Sequence, residues 1–377
     1  MKDLSARIAA LSPEQRALFE ASLKAKGLRA PQVDQIPRRP REDTNVFPTS
    51  IDQERLWFIE QLQPGNAAYN IFTASRITGP LDGNVMERVV NELLARHEVL
   101  RTVFTVVDDE PVQVIRPKLE ITLTPVDLES LPAEERMPQA LRLVTEDFSR
   151  PFDLEKGPLV RVGLLRLAHD DHVLHVNMHH TVTDRWSGAI FEEETGALYE
   201  AFANDRPSPL PPLPVQYADY ALWQRSRAES EIYRRQAEYW TRKLTGAPFV
   251  LEVPTDFPRP PIQNFRGARV YARYSKRLLD ALRELSRREG VTMFTLALSA
   301  YKALLYRYTS QETILVGATF ANRNRPELQK MVGYLLNLIV LSTNLSGNPS
   351  FRELLRRERA TVLEGFANQD LPFGKLV

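Results

Sequence analysis

The 377-residue sequence carries 49 Lys and Arg against 48 Asp and Glu, a formal charge of +1, so bulk electrostatics would not hold it to a phosphate backbone or an anionic lipid surface. Hydrophobic residues make up 43% and charged residues 26%, which excludes disorder of the whole chain and supplies more than one core. The absence of cysteine removes thiolate nucleophiles, disulfides, thiolate zinc sites and iron–sulfur clusters, leaving chemistry to His, carboxylates, hydroxyls and backbone. At roughly 150 residues per domain the length implies two to three compact units. No apolar run approaches ~18 residues and the N-terminus lacks a secretory design, so a cytosolic protein is expected.

In chain order, Leu4 to Gly27 sets Ile8, Leu11, Leu18 and Leu23 among charges, and Ser12-Pro13-Glu14 supplies a helix start, so short helices are expected. Ala30 through Arg41 is rich in Pro and Arg without an apolar period, as in a linker. From Asp82 to His97, Val85, Val89, Val90, Leu93 and Leu94 recur at helical spacing and predict a helix with one buried face. Val160, Val162 and Leu164, then Leu174, Val176 and Met178, alternate as strands do, and the second run ends at His179-His180. Trp186 to Phe202 returns to helical spacing. Pro207 to Pro214 (PSPLPPLP) reads as a stiff connector. In the second half, Leu278, Leu279, Leu282 and Leu285 form a helix face ended by Gly290, Thr292 caps the next helix through Leu305, and Thr313 to Phe320 is a strand. The expected organisation is a helical linker or docking segment over 1–41, a first lobe over 42–214, and a second lobe over 215–377. Each lobe would be an α/β layer of helices covering a sheet.

The histidines all lie in the first half, and positions 172, 175, 179 and 180 crowd one region. On a strand, at ~3.3 Å per residue, His175 and His179 would stand roughly 13 Å apart, too far to share an ion, so no metal site is expected. His179 and His180 point to opposite faces. A His at a strand end, followed by Thr181, Thr183, Asp184, Trp186 and Ser187, is a candidate acid–base centre, because imidazole titrates near neutrality. A buried, hydrogen-bonded histidine is the plainer alternative. The sequence has no G-x-S-x-G elbow, P-loop or G-x-G-x-x-G, which leaves a serine hydrolase, a P-loop NTPase and a Rossmann oxidoreductase without support.

An ordered series of segments resembles the condensation domains of nonribosomal peptide synthetases. Thr49-Ser50-Ile51-Asp52-Gln53-Glu54-Arg55-Leu56-Trp57-Phe58 is similar to the family's first motif, and Arg96 through Phe104 (RHEVLRTVF) to its second. Met178-His179-His180-Thr181-Val182-Thr183-Asp184-Arg185-Trp186-Ser187 is similar to the HHxxxDG motif, with Arg185 where the family normally has Gly. Tyr217 through Trp223 (YADYALW), Val332 through Asn337 (VGYLLN) and Asn368 through Phe373 (NQDLPF) follow as the fourth, fifth and sixth. The first motif, with Pro64-Gly65-Asn66, is like the subtype that joins an L-configured donor to an L-configured acceptor. Arg185 alone carries a fainter likeness to siderophore synthetases of the fuscachelin type. The seventh motif is not found, so the second lobe is expected to be incomplete at its C-terminal end.

The resemblance implies two chloramphenicol-acetyltransferase-like lobes in a V-shaped pseudo-dimer with a central tunnel, and amide formation between two carrier-bound thioesters. The partners implied are upstream and downstream peptidyl carrier proteins bearing 4′-phosphopantetheine, beside an adenylation domain, with no cofactor bound directly. His180 would act as general base or as the group that positions the amine and steadies the tetrahedral intermediate. His179 would serve packing, and Asp184 would hold the loop by pairing with Arg323 of the other lobe. Trp186, Ser187 and Asn337 would support the motif, and Arg185 would gate the acceptor channel. Two alternatives stand beside this reading: a catalytically silent docking platform for carrier or tailoring proteins, and an epimerization-type domain, against which the first motif argues.

Overall fold

The computed structural model describes residues 35–40, 44–261, 265 and 267–376; the helices expected within 4–27 and half of the linker lie outside the described residues. The chain is mixed α/β and divides into two compact units, one running to Arg227 and regaining Arg323–Leu335, the other formed by Ala228–Asn322 and Leu336 onward. The first unit thus reaches past the proline-rich connector, where the sequence places the boundary, and takes back a segment from the second half.

In the first unit, β1 (Val46–Pro48), β3 (Thr102–Val107) and β4 (Glu110–Ile115) form a sheet in the order β1-β4-β3. A second sheet has the order β2-β7-β6-β5, from β2 (Asn70–Thr78), β5 (Val126–Asp127), β6 (Val160–Ala168) and β7 (Asp171–His179). β7 runs antiparallel to both neighbours, with Asn70 opposite His179 and Val160 opposite Met178. The helices are α1 (Ile51–Leu62), α2 (Gly83–Arg96), α3 (Ala133–Ser149), α4 (Arg185–Phe202) and α5 (Tyr217–Ser226). The expected helix at 82–97 is α2, with the Asp82 side chain accepting from Asn84 and Val85 N–H as its N-cap. Val89, Val90, Leu93 and Leu94 of α2 pack with Leu174, Val176 and Met178 of β7 and with Ile190, Phe191 and Leu198 of α4 in one core. The period-2 and period-3.6 patterns therefore meet face to face. Leu328, Met331, Val332 and Leu335 belong to this same core, which is why the returning segment is part of the first unit.

In the second unit, β8 (Thr313–Phe320) and β9 (Asn337–Asn344) pair antiparallel, and α6 (Glu231–Leu244), α7 (Lys276–Glu289), α8 (Met293–Thr309) and α9 (Phe351–Ala367) complete it. α7 ends where expected, on Gly290 at φ 64°, and Thr292 caps α8 by accepting from Thr295 N–H. The leucine face of α7 is amphipathic as the sequence predicts, yet Leu278 and Leu279 are exposed rather than laid on a sheet. Inside the unit, Lys302 of α8 is fully buried and donates to Glu358 of α9 at 2.9 Å, to Thr343 Oγ1 at 2.8 Å and to the Leu341 carbonyl at 2.9 Å. Among the described residues no helix is long and apolar enough to cross a membrane.

Candidate active site

β7 carries the histidine doublet to the end of its sheet. His179, the last strand residue, is buried beside the Phe152 and Tyr69 rings. Its Nδ1 accepts from Thr181 N–H at 3.3 Å and lies 2.9 Å from Thr181 Oγ1. Burial, with the neighbouring His180 ring, pushes its pKa down to about 3, so it is neutral at any working pH. His180 opens a short 3₁₀ turn, His180–Val182, and is only partly buried. Its Nδ1 lies 2.7 Å from the Thr183 carbonyl. A carbonyl only accepts, so the neutral ring carries its proton on Nδ1 and presents the Nε2 lone pair. Burial lowers the His180 pKa, against the opposing pull of the Thr183 carbonyl and the Asp184 charge. The ring is a neutral acceptor held in one tautomer.

Asp184 caps α4 by accepting from Ser187 N–H at 2.7 Å, and the Ser187 hydroxyl lies 2.7 Å from the same oxygen. Arg323 Nη2 stands 3.0 Å from both Asp184 oxygens, while Nη1 donates to the Leu328 carbonyl at 2.6 Å and the Met331 carbonyl at 2.5 Å. Asp184 is wholly buried, and its carboxylate is bonded within this network. Arg323 falls within the first unit together with Asp184; the pairing foreseen from the sequence is present, but it is internal to one unit and not a bond from a separate lobe. Ser187 further binds Gly333, its hydroxyl 3.0 Å from the amide and 3.1 Å from the carbonyl. Gly333 sits at φ 152°, and a Cβ there would come 2.1 Å from the Tyr217 ring, so no other residue fits.

Trp186 is half exposed and donates from Nε1 to the Gln329 carbonyl at 3.1 Å. Arg185 is exposed as the first residue of α4. It is absent from the positive-φ residues, so the position that the family normally fills with Gly takes an arginine without backbone strain. Asn337 is not part of this cluster. It belongs to the second unit, where its side chain donates to the Gln369 carbonyl at 2.7 Å and the Leu371 carbonyl at 2.8 Å and accepts from Phe373 N–H at 3.0 Å. Its role there is to hold the sixth motif against β9. Among the described residues no three His, Asp or Glu side chains gather as metal ligands.

Several residues that sequence reasoning assigned no role close the site. Gln53 of α1 donates to the Thr181 carbonyl at 3.0 Å. Tyr217 donates to the Tyr334 carbonyl at 2.7 Å and bonds the Ser50 hydroxyl at 2.9 Å. Arg55 donates to the Tyr334 hydroxyl at 2.9 Å, and the Tyr334 ring meets the His180 ring edge-on with centroids 4.8 Å apart. The signal that could have found them is their place inside the quoted motifs, which the structure brings to one spot. Asp52, one turn from Arg55, is buried and pushed up to about 6 by desolvation, the Arg55 charge opposing. Along the face of β7 that bears Leu174, Val176 and Met178, an apolar cavity of about 660 Å³ opens against Phe191 and Tyr199 of α4.

A family model described as Condensation domain matches residues 43–377. One of the linear gramicidin synthase proteins of Brevibacillus parabrevis is 47% identical over 331 residues, 88% of this chain and 6% of that protein. Phosphinothricin tripeptide synthetase PhsC of Streptomyces viridochromogenes is 43% identical over 377 residues, 100% of this chain and 34% of that protein. The chain thus spans about a third or less of these curated relatives. Among solved structures, the complex of the X-domain and OxyB from teicoplanin biosynthesis aligns with a TM-score of 0.81 at 28% identity, over 92% of this chain and 75% of that one. The first condensation domain of the CDA synthetase aligns with a TM-score of 0.72 at 20% identity, over 87% and 77%, a likeness of fold.

Proposed function

Since the chain belongs to the condensation-domain family, we propose that it forms an amide bond between two thioesters presented on phosphopantetheine arms, the donor by an upstream carrier protein and the acceptor by a downstream one. The parent protein would hold an adenylation domain alongside and work in the cytosol. The acceptor amine attacks the donor carbonyl, the C–N bond forms, the C–S bond breaks, and the nitrogen loses a proton. A thioester is already activated, so aligning two arms and handling that proton are the main demands.

The observation that carries this reading is the fixed tautomer of His180. Its Nδ1–H is taken by the Thr183 carbonyl, so Nε2 offers a lone pair to the attacking amine, either to accept its proton or to orient it. Asp184, Ser187 and Arg323 set the loop that aims the ring, and His179 packs behind it. The apolar cavity beside β7 gives room for an acyl or side-chain group of the donor. Arg185, exposed at the start of α4, filters the acceptor.

The test mixes the protein with donor-loaded and acceptor-loaded carriers and follows the extended product by mass spectrometry. His180→Ala is expected to slow product formation by about 100-fold or more, the range of positioned acid–base groups, while carrier binding persists; undiminished turnover would remove His180 from the mechanism. Because the His180 pKa is lowered and the neutral ring is the working form, the rate should hold as pH falls to about 6.5 and decline only below it.

A second reading is favoured by one observation, the TM-score of 0.81 to a solved X-domain in complex with OxyB. On that reading the chain is a docking platform for a tailoring or carrier protein. Absence of product with every cognate carrier pair would support it.

A further inference from the structure

The site as built around His180 handles a proton and leaves one requirement unmet. When nitrogen adds to the thioester carbon, the carbonyl π pair moves onto oxygen, and that oxyanion needs a hydrogen-bond donor. His180 cannot supply one, because its Nδ1–H is bound to Thr183 and its Nε2 carries a lone pair. Four of the surrounding backbone N–H groups are also occupied. His180 N–H donates to the Tyr69 carbonyl, Thr181 N–H to His179 Nδ1, Thr183 N–H to the His180 carbonyl, and Ser187 N–H to Asp184.

Tyr334 stands edge-on to the His180 ring. Its hydroxyl oxygen accepts from Arg55 Nη2 at 2.9 Å, and among the described residues no hydrogen bond takes up its own O–H. A hydroxyl whose oxygen already accepts from a cation is a stronger donor. We propose that the Tyr334 O–H, polarised and held by Arg55, donates to the oxygen of the donor thioester as it becomes the oxyanion. This rests on the amide-forming reading. The phenol keeps its proton and only hydrogen-bonds the oxyanion: the carbonyl reforms as the C–S bond breaks, and the proton that leaves nitrogen by way of His180 passes to the departing thiolate. Burial raises the Tyr334 phenol to about 12, so the donor keeps its hydrogen throughout the working range.

The test compares wild type, Tyr334→Phe, Arg55→Gln and the double variant in single-turnover reactions of loaded carriers. Tyr334→Phe keeps the ring against His180 and should lower the rate by about 100-fold or more. Thermal midpoints should stay within about 2 °C and carrier KM values within about twofold, which a merely structural role would not give. Arg55→Gln should slow wild type by about tenfold and slow Tyr334→Phe no further, since it acts through the phenol. A Tyr334→Phe rate within about threefold of wild type overturns the proposal while leaving the amide-forming reading intact. An undiminished Arg55→Gln effect in the Phe background overturns the part given to Arg55. If wild type itself forms no product, that reading falls and the role of Tyr334 falls with it.

Discussion

Each unit encloses a buried ion pair, and the two are alike in burial but differ in what they join. Lys302 and Glu358 tie α8 and α9 to β9, and every partner of the ammonium is a strand or helix of the same small sheet layer. Asp184 and Arg323 instead tie a loop to a returning segment, and their partners are mostly groups of irregular backbone. Regular elements keep their shape when one contact weakens, whereas a loop is only as well defined as the bonds that hold it. The first pair therefore bears on stability alone, and the second on both stability and the aim of His180.

The sharpest way to break that comparison is to remove one partner from each. Lys302→Met leaves the Glu358 carboxylate buried without its cation, and unfolding experiments should show a loss of about 3–5 kcal/mol; the rate per folded molecule should stay near wild type. Asp184→Asn keeps the shape but strands the Arg323 charge, at a cost of about 3 kcal/mol, and here the rate should fall as well. An Asp184→Asn effect on rate with no change in thermal midpoint would point to proton chemistry at Asp184 and sink the structural assignment.

Asp52 offers a buried carboxylate without a tight cationic partner. Its folded pKa of about 6 lies above its ordinary value of 3.8, so the native state binds more protons and stability declines as pH rises between those values. Asp52→Asn should therefore stabilise the protein by about 1–3 kcal/mol at pH 8, and denaturant titrations should find that gain fading as pH falls below 6 toward 4. A gain independent of pH would remove the ionic explanation. The smallest effect on folding is expected from Arg185→Gly, about 1 kcal/mol or less. Its consequence should appear in kinetics across a panel of acceptors, and an unchanged panel ends the gating proposal.

Much of the fold was legible from local pattern. β7, α2, α4, α8 and β8 stand close to where periodicity and caps place them, because Asp82, Asp184 and Thr292 accept N–H bonds within their own first turns. The His180 loop was legible only through its likeness to a motif. Bonds such as Gln53 to Thr181 or Arg55 to Tyr334 join residues far apart in the chain, and no local spacing encodes them. The exposed leucines of α7 show the opposite limit, for amphipathicity predicts a face without saying what, if anything, lies against it.

The return of Arg323–Leu335 to the first unit bears on how such proteins can be recombined. A segment cut out as one uninterrupted stretch ending at Arg227 would leave behind the guanidinium that Asp184 needs, the glycine beneath Tyr217 and the phenol beside His180. Swaps between related synthetases that exchange only the front half would splice two ancestries inside a single hydrogen-bond network. Junctions chosen to carry both stretches together should give chimaeras that keep the His180 loop in shape.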